Sequence, residues 1–158
     1  MGQASPKIQW LKMAIPSAID TLRELASKET NEAAIRLGRA IVAADEAAQK
    51  RVLLLQYRDE YGGRLQEKLA AGLTAMECRN FQLFLVKLDD AIAGQQQVLR
   101  DAKRRIDEER SSWQASERKR MSYTTLAARA LKERQRKESR HEQKQTDEHA
   151  ARRLLYER

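Results

Sequence analysis

The chain has 158 residues, 34% of them charged and 5% aromatic, with six glycines, two prolines and a formal net charge of +8. So little apolar and turn-forming material excludes a conventional sheet domain and fits long helices joined by thin apolar seams. The charge favours acidic partners, anionic lipid or nucleic acid without choosing among them, and a single cysteine, Cys78, excludes an internal disulfide.

Residues 1–16 are unusually apolar for a tail, with Ile8, Trp10, Leu11, Met13 and Ile15. Pro6 suits the opening of a short helical turn, and Pro16 suits its end. Lys7, Gln9 and Lys12 break up the apolar residues, so no signal-peptide core is expected. No run approaches the roughly 20 apolar residues of a membrane span, so no membrane insertion is expected.

Ser17 with Asp20 resembles a capping box and predicts the start of a first long helix, over residues 17–66. Ile19, Ala26, Ala33, Ala40, Ala47, Leu54 and Tyr61 recur along it in sevens, with Leu22, Thr30, Leu37, Ala44 and Arg51 beside them. Such a repeat makes a narrow apolar stripe that another helix must cover. The stripe is mostly alanine, which lets two helix axes approach closely. Gly62 and Gly63 weaken the helix, and its end is expected between Gly62 and Ala71. Residues 67–73 then form a turn around Gly72.

Thr74 and Glu77 form a second capping box, opening a second helix. Leu85, Ile92, Leu99, Ile106 and Trp113 share one position of its repeat; Leu88, Gln95, Ala102 and Glu109 share the position three later. These larger side chains are the complement of the alanine stripe. The connection is too short for parallel pairing, so the helices run antiparallel, and facing residue numbers sum to about 142. The paired part is expected over residues 74–125. Residues 126–158 carry few apolar side chains and no glycine or proline, and read as a charged extension, either a single helix or disordered. The predicted fold is all-α: one long antiparallel two-helix coiled-coil hairpin with a longer second helix. Both chain termini lie at the end opposite the turn.

No motif of catalysis appears. A phosphate-binding glycine loop is absent. His141 and His149 are too far apart for a helical metal pair, and no cysteine sits near them. Asp89-Asp90 and the run from Asp107 to Glu109 read as solvated helix faces, and Cys78 as a half-buried structural thiol. No catalytic residue, metal or cofactor is therefore expected. The basic clusters Lys103-Arg104-Arg105, Arg118-Lys119-Arg120 and residues 134–140 are interleaved with acids and poor in aromatics. That pattern argues against specific nucleic-acid binding.

A contact surface is suggested next to the turn. Tyr57 and Tyr61 lie one helical turn apart on the side of Leu54, and the antiparallel register brings Phe84, Leu88, Ala91 and Gln95 near them. Aromatics there either close the hairpin core or remain on its flank as anchors for a partner. The basic residues Arg104, Arg105, Arg118 and Lys119 belong to a region suited to steered, exchangeable contacts.

These residues carry a resemblance. The run Gln56-Tyr57-Arg58-Asp59-Glu60-Tyr61, then Asn80-Phe81, Phe84-Leu85, Leu88 and Ala91-Ile92, resembles the FliJ family, the coiled-coil component of the bacterial flagellar type III export apparatus. Residues 22–26, Lys28-Glu29, Ala33-Ala34 and Leu37-Gly38 extend it upstream; Gln95, Leu99 and Trp113 extend it downstream. Residues 1–16 look longer than the family's usual start. The resemblance implies a non-enzymatic monomer that acts as a stalk between the hexameric export ATPase (FliI-type) and the export gate protein (FlhA-type), and that escorts export chaperones. It implies a cytoplasmic location, peripheral at the inner membrane. On this reading Leu54, Tyr57, Tyr61, Phe84, Leu88, Ala91 and Gln95 contact the gate. Arg104, Arg105, Arg118 and Lys119 contact the ATPase ring. The alternatives are the stalk of a virulence-type secretion system, an unrelated coiled-coil adaptor, and a nucleic-acid-binding rod.

Overall fold

A computed structural model describes residues 6–156, with side chains described from residue 18 onward. Two helices account for them: α1, Pro6–Ala71, of 66 residues, and α2, Ala75–Tyr156, of 82 residues. No strand occurs among the described residues. The fold is the expected antiparallel helical hairpin, with the second helix longer. Its residues group into two units, Glu32–Gln114 around the turn and a terminal unit of the chain up to Asn31 with α2 from Ala115 onward.

In the turn unit, α1 buries Ala33, Ala40, Ala44 and Ala47, and α2 buries Leu88 and Leu99. Leu54 and Tyr61 of α1, and Leu85, Ile92, Ile106 and Trp113 of α2, are half-buried beside them. Ala33 is 0% exposed, so its methyl already fills the gap to α2. The small alanines also bare backbone: Gln95 Nε2 donates to the Ala47 carbonyl at 3.1 Å. Arg36 reaches Glu109 at 3.2 Å, Arg58 pairs with Asp89, and the Tyr61 and Phe81 rings lie 5.8 Å apart. Residue numbers rise on one helix as they fall on the other, which is the antiparallel register expected from the two repeats. Glu109 sits in the seam with its side chain only 12% exposed, held between Arg36 and, at 3.3 Å, Arg105.

In the terminal unit, α1 buries Ala26 and Thr30, and α2 sets Arg120, Tyr123, Ala127 and Ala130 half-buried. The Thr30 hydroxyl donates to the Ala26 carbonyl at 2.9 Å, which satisfies it inside the seam. Lys119 Nζ pairs with Glu29 at 3.0 Å. From Leu131 on, every described residue is exposed, yet the helix continues to Tyr156. Residues 126–156 therefore form a charged helix rather than a disordered tail.

The turn is shorter than the expected residues 67–73, because α1 runs on to Ala71 and only residues 72–74 connect the helices, but Gly72 and Thr74 play the parts their sequence suggests. Gly72 has φ 98°, a left-handed conformation that a side chain disfavours. Thr74 caps α2: the Glu77 amide donates to Thr74 Oγ1 at 3.3 Å, and Glu77 Oε2 accepts from the Thr74 amide at 3.0 Å and from its hydroxyl at 2.8 Å. These bonds hold the Glu77 carboxyl below its ordinary pKa, the backbone amide first and the hydroxyl second.

The start of α1 differs from the reading of the sequence, and its end falls at the limit of the expected interval. The helix starts at Pro6, so neither Pro16 nor Ser17 begins or ends it. Proline lacks an amide hydrogen but can lie within a helix, and Ile8, Leu11, Ile15 and Ile19 keep helical spacing across it. The far end is Ala71, beyond residue 66 and at the limit of the interval from Gly62 to Ala71. An added Cβ at Gly62 or Gly63 would meet nothing within 4 Å, so these glycines lower helix propensity without marking a break. The short helical turn expected at residues 6–16 is instead the first part of α1; its side chains lie outside those described.

Candidate partner-contact surfaces

The repeat decides which side chains remain free. On α1 the positions flanking the seam next to Leu54 and Tyr61 include Tyr57; on α2 the matching flank includes Phe84 and Ala91. Tyr57 is 53% exposed and Phe84 39%. Tyr61 is half-buried, with its ring 4.3 Å from Phe84 and 5.8 Å from Phe81. Two cations cover the remaining ring faces: Arg64 lies 5.8 Å from the Tyr61 centroid and Lys68 Nζ 5.2 Å from that of Phe81. The three rings form a cluster that is partly core and partly surface.

The seven residues read as one patch therefore divide. Tyr57, Phe84 and Ala91 are exposed. Leu54 and Tyr61 are half-buried supports. Leu88 is buried in the seam, and Gln95 is half-buried with its amide committed to Ala47. A partner approaching the flank would meet Tyr57, Phe84 and Ala91, whereas Leu88 and Gln95 are turned to the seam. Phe81 belongs to the run that carries the resemblance but was left out of the contact patch, although it lies on the same α2 repeat line as Leu88 and Gln95, where the spacing already places it at the seam. The Arg58–Asp89 pair was also missed, because Asp89 reads alone as a solvated acid. Arg58 donates from Nε and, at 3.4 Å, from Nη2, and this hydrogen bonding lowers the Asp89 pKa and raises that of Arg58.

The basic set is exposed but mostly engaged. Arg104 lies 3.7 Å from Asp101, Arg105 3.3 Å from Glu109, and Lys119 3.0 Å from Glu29. Arg118 is exposed. The Arg104 and Lys119 pairs are exposed on both sides, and such pairs contribute little to stability and exchange readily with other anions, whereas Arg105 is anchored on the half-buried Glu109. No group of His, Cys, Asp and Glu suited to a metal ion occurs among the described residues, and no described helix is long and apolar enough to cross a membrane.

A family model described as flagellar FliJ protein matches residues 16–158. The Flagellar FliJ protein of Escherichia coli (strain K12) is 31% identical over 140 residues, covering 89% of this chain and 95% of the relative. The Flagellar FliJ protein of Salmonella typhi is 29% identical over 140 residues, with the same coverage. The match spans both helices and the turn between them, and on that basis the chain belongs to the flagellar FliJ protein family.

Proposed function

We propose that the chain is a non-enzymatic stalk of the flagellar type III protein export apparatus, coupling the hexameric export ATPase to the membrane export gate and escorting export chaperones. Membership of the FliJ family makes it a component of flagellar protein export; it is the match over residues 16–158 that carries the reading. The distribution of side chains supports the finer assignment. An exposed aromatic flank in the turn unit, Tyr57 and Phe84, offers desolvatable anchors for the gate. Arg104, Arg105, Arg118 and Lys119 offer exchangeable charges for the loops of the ATPase ring. The protein acts as a monomer in the cytoplasm, peripheral at the inner membrane.

The test uses the purified chain, the export ATPase of the same genome and the soluble domain of its gate protein. Co-elution with each, together with a rise in ATPase rate on adding the chain, is the expected result. Failure to bind either protein, with motility intact after deletion of the gene, would overturn the assignment.

A further inference from the structure

The spacing that builds the seam on α1 occurs twice. Residues 40, 44, 47, 51, 54 and 58 alternate in steps of four and three and face α2; residues 41, 45, 48, 52, 55 and 59 repeat the alternation one residue on. The second stripe is Ile41, Asp45, Ala48, Val52, Leu55 and Asp59. Ile41 is 48% exposed and Val52 50%, whereas Ala48 and Leu55 are half-buried along the edge of the seam. Tyr57 flanks the opposite side of the seam, so this face is separate from the aromatic flank. A helix buries a four–three repeat only against another helix. Small Ala48 at the centre allows close approach.

The charges name the kind of helix. The stripe's only charged side chains are Asp45 and Asp59, each one heptad from Val52. Neither makes an ion pair among the described residues; Asp45 accepts only the Gln49 amide, at 3.0 Å. On a chain of net charge +8, two acids without an ion pair on an apolar stripe, Asp59 with Arg58 as its electrostatic neighbour, select a basic ligand locally. A second copy is disfavoured, since it would set aspartates against an identical aspartate-bearing stripe and +8 against +8. We propose that this face of α1 docks an amphipathic helix of a partner protein, with aliphatic residues at heptad spacing and Lys or Arg opposite Asp45 and Asp59.

The test titrates the full chain with two synthetic amphipathic helices of about 21 residues that share one leucine heptad. One is flanked by lysine, the other by glutamate. The lysine helix is expected to bind about tenfold tighter, against the attraction of a +8 protein for the acidic one. Ile41→Ser with Val52→Ser should weaken it about tenfold while helix content and melting hold, since both positions are half exposed. Asp45→Asn with Asp59→Asn should erase the lysine preference, and Tyr57→Ala with Phe84→Ala should leave it unchanged. Equal binding of the two helices, or full binding by the serine variant, would overturn the proposal. So would a dimer in sedimentation that the serine variant abolishes, because a second copy would then occupy the face.

Discussion

Single side chains set how closely the two helices approach. Ala33 is 0% exposed against α2, so Ala33→Leu must push the helices apart; a loss of about 1–3 kcal/mol in thermal or denaturant unfolding is expected. A higher melting temperature would show that the seam has room. Arg51 lies on the same seam, and its Nε is buried without a hydrogen-bond partner. Arg51→Leu should therefore stabilise the hairpin by about 1 kcal/mol, read in the same melts. The alanine positions were legible from their recurrence in sevens. The cost at Arg51 was not, because the repeat places a side chain at the seam without saying whether its nitrogens find acceptors there. The repeat places Leu88 on the α2 stripe and Phe84 off it, and the structure agrees: Leu88 is core and Phe84 is 39% exposed. The two differ by four residues, and only the angle of each to α1 sets them apart.

At the scale of elements, the cap of α2 was readable, and the start of α1 and the length of the turn were not. The Thr74–Glu77 box is a local motif whose partners lie within one turn, so sequence suffices to specify it. Ser17 with Asp20 is an equally good local motif, yet α1 runs through it from Pro6, and Asp20 instead contacts Arg23 at 3.5 Å. Capping signals are weak preferences that a longer packed helix overrides. The Thr74 box also makes a pH prediction. Its hydrogen bonds lower the Glu77 pKa, so its contribution is complete above the ordinary carboxylate range and is lost as pH falls through the lowered value. The melting-temperature gap between the native chain and Thr74→Ala should be constant near neutrality and should narrow as pH falls below about 4, leaving the part due to the Glu77 amide donating to the Thr74 hydroxyl. A gap that does not narrow at any acidic pH would mean that the bond from the Thr74 hydroxyl to the carboxylate adds nothing to the cap.

For the molecule as a whole, an all-helical fold, antiparallel helices and a longer second helix were legible in the sequence, and the described residues agree; these follow from two complementary heptad repeats and one short turn. Which surface meets which partner is not written in a heptad, because any exposed flank of a coiled coil satisfies the same pattern. The proposed division of labour between an aromatic flank and a charged set is tested most directly by a pair of variants measured against both partners. Tyr57→Ala with Phe84→Ala should weaken binding to the soluble gate domain about tenfold or more while ATPase stimulation and helix content hold. Charge reversal of Arg104, Arg105, Arg118 and Lys119 together should do the opposite, with an effect that fades at high salt. If the aromatic pair leaves gate binding intact, or melts the hairpin instead, these rings serve the core and the proposed gate surface is wrong.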